Sequence, residues 1–419
     1  MYNCEDQLSL TRKVLKYWAV HFASLIMAYV PPHKRHLKDP QVPAPTPELL
    51  LPRFNRNLNL GSHKHNAYRS REILYADNAI FRWFAVDLDE DGHFPSSLHL
   101  EPISMEYIEK RRGEKPLVLV NNNPAKDNDE VGKRISRSPW EFVAENVWPD
   151  ILSACKMVSN VMEEKPTLVA RFGKIRFHGS KLLSLESARK SQVAETMLRQ
   201  LQRIFHTNVP ETLVEKITIG AVPKIGSDFE EEKHIYRIKL SDSSRPQTTV
   251  SCKCRVREDK ELELYKVELN SVRHMVVDIS CLDKNLDLRL ALHTREILTA
   301  MTDDEMDIIR NLINSAILDP EVKGGLRWPL GKADSGDRFT VIGVWHTKFR
   351  SCKTPSLRLK VRHADWFHVL TETVETTVDI TLKLKRVVSE IQEEKIDTDS
   401  AYDVFKDNLR LIWDHFLSC

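Results

Sequence analysis

The chain contains no Gly-x-Gly-x-x-Gly, no His-Glu-x-x-His, no Gly-x-Ser-x-Gly and no Gly-x-x-Gly. These absences remove the dinucleotide fingerprint, the helical zinc-protease pair, the serine nucleophile elbow and the glycine clamp of KH-type RNA-binding domains. Gly325 with Gly331-Lys332-Ala333 approaches a phosphate loop, but the glycine spacing is one residue too long and Ala333 lacks the hydroxyl that holds magnesium. Seven scattered cysteines are too few to frame a chain of 419 residues with disulfides, which points to a reducing compartment, cytoplasmic or nuclear. Cys252 and Cys254 share one face of an expected strand, and without a Cys-x-x-Cys or a nearby histidine pair they read as small buried hydrophobes rather than zinc ligands. No metal or cofactor is expected. The one long apolar run, residues 14–30, is interrupted by Lys16 and His21 and closed by Pro31 and Pro32, so no stable membrane insertion is expected.

What is present is an ordinary globular composition, 41% hydrophobic and 29% charged, with an uneven charge distribution. The formal net charge is +2, yet residues 1–71 hold eleven Lys/Arg against four Asp/Glu. Residues 1–26 read as an N-terminal extension. Residues 27–71 read as a basic, mostly disordered arm, because seven prolines between Pro31 and Pro52 fix φ repeatedly and favour extended backbone. Its candidate contacts to nucleic acid or a partner protein are Tyr29, Pro31, Pro32, His33, Lys34, Arg35, His36, Arg53 and Arg56. A stiff backbone ending in cations suits either an RNA phosphate chain or a docking groove.

Residues 72–225 read as an α+β region. A buried strand is expected at Leu117 to Val120, and a helix capped by Ser138, Pro139 and Glu141 that Pro149 splits or restarts. Leu168, Ala170 and Phe172 alternate as a strand, but the apolar positions then become Ile175 and Phe177, so Gly173 reads as a bulge or hairpin. A helix from Leu185 to Phe205 and a strand at Lys216 to Ile219 complete a ferredoxin-like βαββαβ order. That order invites comparison with RNA-recognition domains, which Arg171 to Phe177 resembles only in part: Lys174 stands where an aromatic would stack.

Residues 230–419 read as a mostly antiparallel β region with two packed helices. Strands are expected at 235–240, 250–257, 261–269, 274–280, 286–292, 339–346, 357–362 and 378–384. A capping box at Thr302 and Glu305 starts one helix, and Tyr402, Phe405, Leu409, Ile412, Trp413 and Phe416 form the stripe of the other. Several strands carry bases on one face: Arg237 and Lys239; Lys253, Arg255 and Arg257; Arg358, Lys360 and Arg362. The favoured reading is a solvated face, with Arg255 and its neighbours paired across a hairpin to Glu261 and Glu263. The alternative is a phosphate-binding surface or a tunnel lined by acids and bases. Triphosphate-tunnel enzymes use Glu-x-Glu-x-Lys, and here Lys266 follows Glu261 and Glu263 one residue late, on the opposite face by simple alternation.

Met27 to His36, Pro47-Glu48-Leu49-Leu50, Phe54 and Ile412-Trp413-Asp414-His415-Phe416 together resemble a family of plant proteins of unknown function that begin Met-Ala-Tyr-Val-Pro-Pro-His-Lys-Arg-His. The resemblance implies no activity, and residues 1–26 depart from it. Tyr29 to Arg35 is also similar to a tail peptide of some DEAD-box RNA helicases. The expectation is a non-catalytic RNA-associated binding or adaptor module, the partner being RNA or an RNA-associated protein. The alternatives are a phosphate-handling β-barrel enzyme and a protein-only scaffold.

Overall fold

Alternation between apolar and polar side chains, sustained over long strands, decides this architecture. The computed structural model describes residues 73–417 apart from 87, 89–92, 105–112, 123–137, 160–165, 227, 245–248, 259–260, 298–300, 323, 330–337, 370–372 and 393–397. The arm residues Tyr29 to His36, Arg53 and Arg56, the apolar run at 14–30 and the Gly331-Lys332-Ala333 stretch lie outside the described residues.

The elements begin with β1 (Ile73–Val86), β2 (Leu98–Pro102), β3 (Leu117–Asn121), α1 (Pro139–Ser159) and β4 (Thr167–His178). Next come α2 (Leu185–Lys190), α3 (Glu195–Gln200), β5 (Gln202–His206), α4 (Glu211–Ile225), β6 (Lys233–Asp242), β7 (Thr249–Val256), β8 (Leu262–Cys281) and β9 (Asp287–Ile297). The last are α5 (Asp303–Asn314), β10 (Ile317–Leu318), β11 (Leu326–Arg327), β12 (Phe339–Lys353), β13 (Leu357–His368), β14 (Thr373–Leu384), α6 (Lys385–Gln392), α7 (Thr398–Ile412) and a π-helical turn at Trp413–Leu417.

Eight of these strands form a ring. β8, β7, β6, β12, β13, β14, β4 and β9 pair antiparallel in that order, and β9 pairs back onto β8, closing a barrel. Successive side chains of a strand alternate between the two faces. Leu168, Ala170 and Phe172 of β4, Leu288, Leu290 and Leu292 of β9, and Ile380 and Leu382 of β14 point outward into a core built with α1, α4, α6 and α7. Ile238, Leu240, Cys252, Cys254 and Phe339 point outward elsewhere, under Ile309, Leu312 and Ile313 of α5. The capping box that starts α5 is formed as the sequence implies, with Glu305 N donating to Thr302 Oγ1 and Thr302 N to Glu305 Oε2.

With the apolar faces turned outward, the basic faces turn inward. The solvated face expected for Arg237, Lys239, Lys253, Arg358, Lys360 and Arg362 is instead the lining of the barrel, because ring closure leaves it no other side to occupy.

The middle region differs from the expected βαββαβ order. Residues 185–205 form two short helices and a strand, because Ser191 leaves α2 in an extended conformation and Gln202–His206 pairs with β4. Residues 216–219 lie inside α4, where Val214, Ile217, Ala221 and Ile225 bury one helical face despite their β-branched neighbours. Pro149 sits within the continuous α1, and Arg82 Nη1 donates there to the Asn146 carbonyl and to Asp150.

Gly173 is neither bulge nor hairpin. β4 runs through it in register, paired with β9 up to Gly173 and with β5 from Lys174. Beyond the barrel its inward face meets a second core with Trp83, Leu198 and Phe205, which is why Ile175 and Phe177 are apolar where Val169 and Arg171 face the lumen. A Cβ at Gly173 would lie 2.0 Å from the His206 carbonyl oxygen, so the close approach of β5 requires glycine. Among the described residues no helix is long and apolar enough to cross a membrane.

The outer core depends on the closing helix. Phe416 is fully buried and stacks on Phe172 with ring centroids 4.8 Å apart. Phe416→Ala should destabilise the fold by about 3–5 kcal/mol in urea unfolding; an unchanged midpoint would show that the terminal turn does not hold the barrel wall.

Candidate anion-binding site

One row of paired residues crosses the barrel wall. Ser351 opposes Lys360, Lys360 opposes Thr381, Thr381 opposes Arg171, Arg171 opposes Arg289 and Arg289 opposes Asp278. Directly opposed residues share a face and lie close enough to interact, and like charges so placed repel. The row therefore sets Arg171 directly beside Arg289.

Three lumen carboxylates are engaged. Arg289 donates two hydrogen bonds to Asp278 at 2.6 and 2.8 Å, and Arg362 two to Asp379 at 2.7 and 2.6 Å. Glu268 is shared by Lys253 at 2.7 Å and Lys266 at 2.8 Å. Arg171 and Lys360 have no carboxylate within ion-pairing distance among the described residues. Lys360 Nζ instead lies 3.2 Å from the centroid of the Phe349 ring. Burial and then the Lys360 neighbours Arg362, Arg358, Arg237 and Lys253 bring its amine down to about 7. Burial, followed by Arg362, brings the Arg171 guanidinium down to about 9. That Arg237 on β6 and Lys253 on β7 act on Lys360 from β13 places these cations around one lumen.

Beside Arg171 the interior opens into a cavity of about 420 Å³ lined by Arg171, Arg203, Arg273 and Arg289, with Tyr75, Ile204, Phe205 and Thr207. Aromatic rings hold three of the guanidiniums: Arg203 lies 5.0 Å from the Trp83 centroid, Arg289 4.6 Å from Phe205 and Arg273 5.8 Å from Tyr75. Four guanidiniums face this space, and Asp278 balances one of them. Planar guanidinium forks match the oxygens of phosphate, and their positive potential draws polyanions inward.

The sequence suggested part of this arrangement. Arg237, Lys239, Lys253, Arg358, Lys360 and Arg362 converge, whereas Arg255 binds Glu263 at 2.6 Å as the cross-strand pairing implies. Lys253 turns to Glu268 rather than to the hairpin acids. Lys266 lies on the same face as Glu263, not the opposite one, because a register shift near Tyr265 moves the pairing from Cys254↔Leu264 to Lys253↔Lys266. Arg171, Arg203, Arg273 and Arg289 were missed. The available signal was the alternation of Asp287, Arg289, Ala291 and His293 against Leu288, Leu290 and Leu292, which matches that of the other lumen strands. Cys252 and Cys254 lie fully buried in the α5 core, where burial pushes the Cys254 thiol up to about 12. Among the described residues no three His, Cys, Asp or Glu side chains converge as a metal site would require.

Fold and site together define a closed antiparallel barrel with a cation-lined interior. Residues 67–416 match DUF7903, a domain of unknown function, and the chain belongs to that family. No curated protein matches. Among solved structures, the chain is similar to the Pct1 RNA triphosphatase of S. pombe, at 8% identity and a TM-score of 0.40, over 69% of this chain and 96% of that one. The same enzyme in complex with the Spt5 CTD aligns at 7% identity and a TM-score of 0.41, over 70% and 99%. The PH1012 protein of Pyrococcus horikoshii aligns at 10% identity and a TM-score of 0.22, over 49% and 86%.

Lys360 gives a pH dependence with a definite sign. Its amine titrates near 7 in the folded chain against an ordinary lysine value of 10.5, so between those values the unfolded chain holds the extra proton and stability rises with pH. The cost of charging Lys360 is fully present below pH 7. Lys360→Met should be more stable than the parent at pH 6.5 in urea unfolding, and the advantage should shrink by pH 9.5. An advantage independent of pH would mean that Lys360 is not a buried cation.

Proposed function

We propose that the barrel binds a multiply phosphorylated anion, with Arg171 and Lys360 at the centre and Arg203, Arg273 and Arg289 at the mouth. The observation that carries the reading is the cluster around Arg171: like charges set side by side in a partly buried space, with Arg171, Lys360, Arg203 and Arg273 lacking a paired carboxylate among the described residues, when Asp278, Asp379 and Glu268 already have basic partners. A buried charge without a counter-ion is costly, and a bound polyanion removes that cost. A chain of two or three phosphates suits several forks spread along one lumen better than a single anion does.

Binding rather than hydrolysis is favoured because arginines hold both oxygens of Asp278 and of Asp379, and two lysines share Oε1 of Glu268. The basic arm, with Lys34, Arg35, Arg53 and Arg56, would add phosphate contacts if the anion ends a longer RNA, and this keeps an RNA-associated adaptor role in the cytoplasm or nucleus within the proposal.

Inorganic tripolyphosphate at low salt tests it directly. The ligand should raise the melting temperature, more than orthophosphate at equal concentration, with an effect that fades as salt rises. Arg171→Gln should weaken tripolyphosphate binding about tenfold or more, in keeping with the loss of a charge-assisted hydrogen bond. No thermal shift and no binding heat at millimolar tripolyphosphate would sink the reading.

A further inference from the structure

The lumen holds more than cations. Trp345 on β12 and Trp366 on β13 stand opposite each other in the pairing, face inward by alternation and stack with centroids 5.4 Å apart. Lys239 Nζ lies 4.1 Å from the centroid of Trp345, and the His368 ring meets Trp366 edge to face at 5.8 Å. The Trp366 Nε1 donor is buried and has no hydrogen-bond partner. A buried indole N–H is ordinarily satisfied, so an unmatched one marks a missing acceptor. Gly343 borders both rings closely: a Cβ there would come within 3.1 Å of the Trp345 ring and 3.3 Å of Trp366 Nε1.

Trp366 shares its strand and face with Arg362 and Lys360. Four residues separate Trp366 from Arg362, about 13 Å along an extended strand. A bare phosphate chain makes no use of an aromatic wall or of a lone N–H donor. A nucleotide uses both: its phosphates meet the cations, and its base offers a π face and ring-nitrogen or carbonyl acceptors.

We propose that the polyanion is a nucleoside 5′-triphosphate, free or as the 5′ end of an RNA, whose base packs against Trp345 and Trp366 and accepts a hydrogen bond from Trp366 Nε1. The inference rests on the phosphate-binding reading of the same barrel. The base is recognised mainly by stacking, so the preference is for a nucleotide over an inorganic chain rather than for one base over another.

The test compares three probes by calorimetry and intrinsic tryptophan fluorescence on the full chain at low salt: inorganic tripolyphosphate, ATP and a short 5′-triphosphorylated oligoribonucleotide. Electrostatics alone would favour tripolyphosphate, which carries no base and more charge per atom. ATP should nevertheless bind about tenfold more tightly and quench tryptophan emission, the gain expected of one base–aromatic stack. Trp366→Leu should erase that preference while leaving tripolyphosphate affinity within about twofold, and Trp366→Phe, which keeps a ring and removes the N–H, should retain part of it. Tighter binding of the oligoribonucleotide than of ATP assigns the ligand to an RNA end, and equal or weaker binding assigns it to the free nucleotide. Equal affinity for ATP and tripolyphosphate in the parent chain, a readout that needs no variant to fold, overturns the inference while leaving the phosphate reading intact. A preference that survives Trp366→Leu overturns it as well. No binding of any probe defeats both.

Discussion

Ring closure is the constraint on which the rest of this structure depends. A flat antiparallel sheet with one apolar face would bury that face under helices and leave its basic face in water. When β9 pairs with β4 on one edge and β8 on the other, the sheet has no outer polar side left. The helices α1, α4, α6 and α7 take one stretch of the apolar exterior and α5 another, and every alternate residue is sent into a shared interior. Side-chain chemistry that is harmless on a surface then becomes a concentration of charge.

How that charge is managed decides what the interior does. Asp278, Asp379 and Glu268 each hold a basic partner in direct contact, so much of the lumen is internally compensated. Among the described residues the compensation does not extend to Arg203 and Arg273 at the cavity, nor to Arg171 and Lys360. The latter two lie in the row that also contains Arg289, where strand register, not side-chain choice, sets the neighbours. Moving either cation away would need a register slip, and a slip of one residue would turn Leu168, Ala170 and Phe172 inward. The outer core therefore locks the cations together at the expense of stability.

The sequence made the walls legible but not their closure. Strands at 235–240, 250–257 and 357–362 were readable because alternation is local, and the same residues occupy β6, β7 and β13. Closure is a pairing between residues far apart in the chain, as between Arg171 and Thr381, and no window of ten residues contains it. For the same reason Arg171 reads, from sequence alone, as part of the Arg171 to Phe177 stretch rather than as a lumen cation. Residues 185–205 misled differently: Leu198, Leu201 and Phe205 fit a helical stripe, but the open edge of β4 captured Gln202–His206 as a strand. Lys266 changed face through a bulge at Tyr265, a one-residue event that alternation counted from Glu263 does not reveal.

Two strands outlast the barrel, and this gives the lumen its opening. β8 is paired with β7 up to Glu268 and from Ser271 onward takes β1 as a parallel partner. β4 leaves β14 after the Arg171–Thr381 rung and takes β5 from Lys174, while Val209 and Asn208 tie the end of β5 to Val378. Each exchange happens beside a lumen arginine, and each new partner brings an aromatic or a cation: Tyr75 on β1 beside Arg273, Arg203 and Phe205 on β5 beside Arg289. A barrel whose strands all ended together would present only its rim at this point. Here the strands that exchange partners extend the wall on one side, and the cationic row, otherwise enclosed, is continuous with the cavity lined by Arg171, Arg203, Arg273 and Arg289.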